Sequence, residues 1–186
     1  MPKVTIADPD LFYVSRPSAE GQDSLLFIHG AGGTHRHWGS QVQGLKGVGC
    51  YAVDLPGHGR SRGEGRTSIW GYAEVIFQLL DALDLDQITL GGHSMGGAIS
   101  QYLALTHPSR VNRLVLVGSG ARLRVLPSLL EGMLQDFPST VEMMLGLAYS
   151  GESSPDLAQL AREEWLENDP QAVSYTHLTL PTTPYV

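Results

Sequence analysis

Four short apolar runs, each followed by a loop that contains glycine, constrain the fold of this 186-residue chain more than any other feature. The runs occupy residues 25–28, 50–53, 88–90 and 114–117. Continuous apolar runs of this length are typical of strands that are covered on both faces, as in parallel sheets. Helical patterns separate the runs, at residues 34–45, at residues 69–85 and in a segment that ends at His107. This alternation predicts an α/β fold, with a mostly parallel sheet and helices on both of its faces.

Composition and charge argue against several classes of protein. The chain has 12 basic and 19 acidic side chains, and this net charge of −7 argues against nucleic acid or an anionic membrane as the main partner. No apolar run reaches the length of a membrane span, and the N-terminus shows no secretory signal, so we expect a cytoplasmic protein. The single cysteine, Cys50, cannot form an internal disulfide and argues against a cysteine-based zinc site.

The pentapeptide Gly92-His93-Ser94-Met95-Gly96 is a G-x-S-x-G motif between a predicted strand and a predicted helix. In this context we expect a sharp turn that holds Ser94 in a strained backbone conformation, with its hydroxyl exposed as a nucleophile. The flanking glycines, together with Gly97, leave room for the strand and the helix to pass closely. A purely structural glycine-rich turn is the alternative interpretation.

A second glycine-rich loop, His29-Gly30-Ala31-Gly32-Gly33, follows the first buried strand. Acyl transfer requires amide donors aimed at the oxygen on which negative charge develops. The loop after this strand supplies one such amide, and the residue after the nucleophile supplies the other, so we assign the Ala31 and Met95 amides to the oxyanion hole. We interpret His29 as a structural histidine within the loop rather than as the catalytic base.

The sequence resembles the α/β-hydrolase family, in its serine-esterase-like branch with a helical lid. The resemblance rests on both glycine-rich loops, on residues 114–120 and on the segment Asp54-Leu55-Pro56-Gly57-His58-Gly59-Arg60-Ser61. These motifs occur in the family's order and spacing over about residues 1–170. The resemblance implies a hydrolase that acts on a small carboxylic ester or similar carbonyl compound, through a triad in the chain order serine, acid, histidine. No defined protein partner is expected.

The same resemblance indicates which parts of the triad are missing. In the family the acid usually follows the strand after the lid, and the histidine follows the last strand, whereas this chain ends inside or just after the lid. The other position for the acid holds Gly118-Ser119-Gly120, and Asp54 is expected to shape its own loop. We therefore expect that the triad acid and histidine are absent, that this chain is inactive, and that the edge of the apolar strand at residues 114–117 faces water.

The motifs divide the chain into a core at residues 1–121, a partial helical lid at 122–172 and a tail at 173–186. Helical patterns at residues 125–136, 141–149 and 157–167 predict the lid. The tail reads VSYTHLTLPTTPYV and resembles the translation of a transposon-end adaptor used to build sequencing libraries. We therefore expect a truncated fragment with a tail that is not native; a genuine Pro/Thr-rich tail is the alternative.

Other classes of site fit the sequence less well. No G-x-G-x-x-G motif opens a helix, which argues against a dinucleotide cofactor. A metal cluster that could begin at His35 and His37 is broken by Trp38, so we expect neither a metal nor a cofactor. A non-catalytic ligand-binding or scaffold protein on the same fold is the alternative from a different functional class.

Overall fold

The computed structural model describes residues 3–5, 10–17, 19, 23–120, 127–149 and 153–174. Six strands form one sheet in the order β1-β2-β4-β3-β5-β6. The strands are β1 (Lys3–Thr5), β2 (Asp10–Arg16), β3 (Ser24–Ile28), β4 (Gly49–Val53), β5 (Ile88–His93) and β6 (Val111–Val117). The helices are α1 (Gly39–Gly44), α2 (Ile69–Ala82), α3 (Met95–Thr106), α4 (Pro127–Gln135), α5 (Phe137–Ala148), α6 (Pro155–Leu166) and α7 (Pro170–Ser174), and a 3-10 turn (His35–Trp38) precedes α1. No helix in these ranges has the length and apolar character needed to cross a lipid bilayer.

The central part of the sheet is parallel, as the sequence predicts. Strand β3 pairs in parallel with β4 and with β5, and β5 pairs in parallel with β6. Strands β1 and β2 form an antiparallel pair at one edge of the sheet. Every residue of β3 and β4 is buried, as expected for strands that are covered on both faces. The predicted fold class is therefore confirmed.

Helix α2 covers the sheet with an apolar stripe. The Ser68 side chain begins the helix by accepting a hydrogen bond from the Gly71 amide at 2.9 Å. Ile76, Leu79 and Leu80 are fully buried and belong to the main core together with residues of β3, β5 and α3. This core fixes the end of β5 against the start of α3, where the candidate site lies.

Helix α3 approaches strand β3 very closely at Gly96. A Cβ atom at this position would overlap the carbonyl oxygen of Ile28 and would lie 2.6 Å from the carbonyl oxygen of His29. Only glycine fits here without movement of backbone atoms. The first turn of α3 is thereby held against the carboxyl end of β3.

Strand β6 forms the second edge of the sheet and leaves its apolar side chains in solvent. Val115 and Val117 are 46% and 44% exposed, and Leu114 and Leu116 are 37% and 41% exposed. Successive side chains of a strand point to opposite faces, so both faces of β6 are partly exposed. Within the described ranges no strand pairs with its outer edge. The expectation of an apolar edge in contact with water is confirmed.

The helical patterns beyond residue 121 form helices, with two differences from the prediction. Helix α5 begins at Phe137 rather than at residue 141, because the Asp136 side chain accepts a hydrogen bond from the Ser139 amide and Pro138 fits the first helical turn. Helix α7 was not predicted, and it buries Val173 and Ser174, which the sequence analysis assigned to the tail. Residues 121–126, 150–152 and 175–186 lie outside the described part of the chain, so the nature of the tail stays a prediction.

The close approach of α3 to β3 can be tested with Gly96→Ala. We expect this variant to lower the free energy of unfolding by about 3 kcal/mol, because the new methyl group must displace backbone atoms. Gly146→Ala is the matched control, since Gly146 lies in helix α5 and a methyl group added there would meet no atom within 4 Å. It should raise the free energy of unfolding by about 1 kcal/mol. Similar small effects of both substitutions in denaturant titrations would contradict the tight packing at Gly96.

The exposed edge at β6 is expected to cause self-association of the 186-residue chain, which sedimentation velocity can measure. Val115→Lys places a charge on this edge and should reduce the associated fraction, because a lysine opposes pairing between strand edges. Leu105→Lys is the control, since Leu105 is a 79% exposed leucine that lies on α3 and not on β6. A monomeric parent chain, or equal effects of the two substitutions, would show that β6 does not drive association.

Candidate active site

Ser94 lies in a sharp turn between strand β5 and helix α3. Its backbone has φ 50° and ψ −115°, which is strained for a residue with a side chain, so the strained conformation predicted from the motif is confirmed. The Ser94 amide donates a hydrogen bond to the Val117 carbonyl at 2.9 Å, and its carbonyl accepts from the amides of Gly97 and Ala98. All of the backbone polar groups of Ser94 are therefore used to hold the turn, while its side chain remains partly exposed.

Glycines bring three segments together around this turn. A Cβ atom at Gly92 would overlap the Gly96 carbonyl group, so strand and helix are in backbone contact. A Cβ atom at Gly30 would lie 2.8 Å from Nδ1 of His93 and 3.2 Å from Cβ of Ser94. The loop of residues 29–33, which we call the oxyanion loop after the role that the sequence predicts for its Ala31 amide, therefore packs directly against Ser94.

The Ala31 and Met95 amides have no hydrogen-bond partner within the described part of the chain. Met95 is the first residue of α3, where the helix dipole adds positive potential. In the oxyanion loop the Gly33 amide donates to the Gly30 carbonyl at 3.1 Å, and this turn leaves the Ala31 amide unused. Unused amides near a partly exposed hydroxyl can donate hydrogen bonds to an anionic oxygen without first breaking another hydrogen bond.

His29 is fully buried, and both of its ring nitrogens are occupied. Nδ1 lies 2.7 Å from the Gly30 carbonyl oxygen and donates to it, and Nε2 accepts a hydrogen bond from the Leu55 amide at 3.0 Å. Burial, followed by the nearby His58 ring, lowers the pKa of His29 from 6.5 to about 3. The ring is therefore neutral at pH 7 and joins the oxyanion loop to the loop after β4.

Asp54 organises the loop after β4. Its side chain is fully buried and accepts hydrogen bonds from the His35 amide at 2.6 Å and the Arg60 amide at 2.9 Å. His35 Nδ1 lies 2.8 Å from the same carboxylate. Burial alone would raise the pKa of Asp54, but the hydrogen bonds from His35 and Arg60 outweigh it and lower the pKa. Asp54 therefore stays ionised, and its oxygens are committed to the loop.

The other predicted loop residues lie beside Asp54. His58 is buried, its Nδ1 bonds to the Pro56 carbonyl at 3.0 Å, and its ring lies 5.1 Å from that of His29. Burial lowers the pKa of His58. Gly57 and Gly59 have φ of +75° and +54°, the left-handed region that favours glycine. The structure therefore places His58 beside the oxyanion loop, whereas Asp54, Gly57 and Gly59 shape the loop after β4.

Two buried polar residues near the site were not found from the sequence. Glu164, on α6, bonds to the Thr34 hydroxyl and lies 3.5 Å from Nε2 of His37. Burial alone would raise the pKa of Glu164, but hydrogen bonds from His37 and Thr34 lower it. Asn168 follows α6 and bonds to both loops of the site. No local pattern marks these residues, because their partners lie more than 100 positions earlier in the chain.

The Ser94 hydroxyl has no side-chain partner among the residues that the structure describes. After β6, where a triad acid would be possible, the Ser119 hydroxyl is buried, also without a hydrogen-bond partner in the described ranges. The same ranges contain no group of three or more His, Cys, Asp or Glu side chains suited to a metal ion. The geometry thus presents a hydroxyl and two amide donors.

Comparisons with known proteins identify the family to which this fold belongs. A family model for the alpha/beta hydrolase fold matches residues 23–175. A hydrolase from Pseudomonas aeruginosa PA01 is 25% identical with a TM-score of 0.83, and the match covers 96% of this chain and 71% of that protein. A thermophilic esterase is 31% identical with a TM-score of 0.73, over 91% of this chain and 68% of that one.

The fold also matches the enol-lactonase from Burkholderia xenovorans LB400, with 19% identity and a TM-score of 0.84 over 96% of this chain and 73% of that one. At this identity the match concerns the fold alone. The family match, in contrast, spans most of the chain and includes every loop described above. This protein therefore belongs to the alpha/beta-hydrolase fold family of enzymes.

Proposed function

We propose that this chain carries the nucleophile and the oxyanion hole of a serine hydrolase that acts on a carboxylic ester or a similar carbonyl compound. The observation that carries the proposal is the strained Ser94 turn, with its partly exposed hydroxyl beside the unused amides of Ala31 and Met95. Two of the similar proteins, a hydrolase and a thermophilic esterase, support the same reaction class.

In the proposed reaction Ser94 Oγ attacks the carbonyl carbon of the substrate and a tetrahedral intermediate forms. The carbonyl oxygen becomes negatively charged and accepts hydrogen bonds from the Ala31 and Met95 amides. A general base takes the Ser94 proton and returns it to the leaving alcohol, which leaves an acyl group on Ser94. Water then releases the acid in a second transfer of the same kind.

We propose that the general base and its acid are not among the described residues. The histidines of the described ranges other than His93 are engaged elsewhere: His29 and His58 with backbone groups, His35 with Asp54, His37 with Glu164 and His107 with Thr106. His93 contacts Gly30 and Gly118, and burial lowers its pKa. Loss of a triad member lowers turnover by roughly 10⁴–10⁶-fold, so the 186-residue chain should be nearly inactive.

The proposed nucleophile can be tested with a fluorophosphonate, which places an oxygen in the oxyanion hole and loses fluoride as Ser94 attacks phosphorus. Added imidazole supplies the missing base by accepting the Ser94 proton. Mass spectrometry of the 186-residue chain should show one phosphonyl group on Ser94, formed faster with imidazole and absent in Ser94→Ala. The chain should not hydrolyse p-nitrophenyl esters at a measurable rate.

Two results would contradict this assignment in different ways. Rapid p-nitrophenyl ester hydrolysis that Ser94→Ala abolishes would show that the chain already holds a base. A Ser94 that is never labelled, with or without imidazole, would favour a non-catalytic ligand-binding or scaffold protein on the same fold.

A structural role for His29 predicts how stability depends on pH. The pKa of His29 is about 3 in the folded chain and about 6.5 when unfolded, so the unfolded state binds more protons between these values. The contribution of His29 is present above pH 6.5 and is lost as the pH falls, by up to about 1.4 kcal/mol per pH unit. His29→Gln keeps an acceptor for the Leu55 amide and should show a shallower loss in denaturant titrations between about pH 4 and pH 7. Parallel curves for the two proteins would contradict the low pKa.

A further inference from the structure

Asn168 is a buried polar residue that joins the lid to the candidate site. It lies just after α6 and is 4% exposed. Its Nδ2 donates to the Gly32 carbonyl at 2.6 Å and to the Glu164 carbonyl at 3.0 Å, and its Oδ1 accepts from the Gly59 amide at 3.0 Å. One side-chain amide thus ties the oxyanion loop and the loop after β4 to the end of α6.

The contact with Gly32 acts on the residue next to the proposed oxyanion donor. Gly32 has φ of +69°, and because glycine adopts positive and negative φ about equally readily, its own backbone preference does not fix the loop and contacts with neighbouring residues must do so. On the inner side the Gly33 amide is bonded to the Gly30 carbonyl. On the outer side the Gly32 carbonyl is bonded to Asn168. The Gly30 carbonyl shares a peptide group with the Ala31 amide and also accepts a hydrogen bond from His29. The direction of the Ala31 amide is therefore set by His29 and Gly33, and Asn168 acts on it by holding the Gly32–Gly33 peptide group.

Neighbouring residues of α6 hold Asn168 in position. Glu164, one helical turn earlier, is bonded to Thr34 at the end of the oxyanion loop. The Trp165 ring lies 3.4 Å from the position of a Cβ atom at Gly32. The end of α6 is therefore fixed against this loop by a buried carboxylate, an aromatic ring and the Asn168 amide. Of these three groups, the Asn168 amide is the one that donates a hydrogen bond to the Gly32 carbonyl.

We propose that Asn168 is a positioning residue for the oxyanion hole, which it orients by holding the Gly32 carbonyl. This inference rests on the proposed function, because it assigns a purpose to the Ala31 amide. A donor contributes to catalysis only when it is aimed at the developing oxyanion, and removal of such a donor lowers the rate roughly 10²–10³-fold. A donor that is present but no longer held in position should cause a smaller loss of rate, about ten-fold or more.

The test compares Asn168→Asp and Asn168→Ala with the parent chain. Aspartate has the shape of asparagine and keeps an acceptor for the Gly59 amide, but at neutral pH it has no donor for the Gly32 carbonyl. Alanine removes both contacts and adds no charge, so the pair separates loss of the donor from introduction of a charge. Gln159→Ala is the control, because Gln159 is an exposed residue of α6 that bonds to Glu163 and not to the site.

The main readout is the labelling of Ser94 by a fluorophosphonate in the presence of imidazole, over a range of probe concentrations. We expect both Asn168 variants to lower the maximal labelling rate about ten-fold or more, with little change in the half-saturating concentration. Gln159→Ala should match the parent chain in both quantities. A variant that only weakens the fold would lower the melting temperature and leave the maximal rate of the folded protein unchanged, which would overturn the proposal.

A second readout does not depend on chemistry at Ser94. The Gly33 amide reports on the oxyanion loop, since it is hydrogen-bonded to the Gly30 carbonyl, and its hydrogen exchange can be followed by NMR. Faster exchange at Gly33 in Asn168→Asp, with unchanged exchange in α2, would support the proposal. If the parent chain is not labelled at Ser94, the proposed function fails, and unchanged exchange at Gly33 would then independently overturn the positioning role.

Discussion

The rest of the structure depends on the close backbone contact between the end of β5, the start of α3 and the end of β3. Gly92 and Gly96 permit this contact, because a methyl group at either position would overlap a carbonyl group. The contact forces Ser94 into a left-handed conformation and leaves the Met95 amide without a partner in the described ranges. The backbone strain at Ser94 and the unused amide of Met95 thus both result from this close packing.

The surrounding loops are held by buried polar groups rather than by apolar packing. Asp54 and His29 commit their polar side-chain atoms to backbone amides and carbonyls of residues 30–60. Burial lowers the pKa of His29 and keeps its ring neutral, whereas for Asp54 the hydrogen bonds from His35 and Arg60 outweigh burial, lower the pKa and keep the carboxylate charged. Loops fixed in this way can present the Ala31 amide in one orientation, and the hydrogen bonds of Asn168 join these loops to the end of α6.

The strands of the sheet differ in how well their faces are covered. Strands β3 and β4 are buried on both faces, whereas β6 has the apolar composition of a central strand and the exposure of an edge strand. The Ser94 turn is connected to this edge, because the Ser94 amide is bonded to the carbonyl of Val117 at the end of β6. The backbone conformation of Ser94, the proposed nucleophile, is therefore coupled to the contacts that β6 makes.

The sequence by itself determined the elements whose signals are local. Apolar runs and glycine-bearing loops were sufficient to predict the parallel strands, the strained Ser94 turn and the two loops that flank it, since each signal spans only a few neighbouring residues. The start of α5 was misplaced because Pro138 was interpreted as a boundary. Only the tertiary structure decided the strand order, the engagement of the histidines and the roles of Glu164 and Asn168. The physical reason is that these depend on contacts such as Asn168–Gly32, which join residues 136 positions apart and leave no periodic trace in the chain.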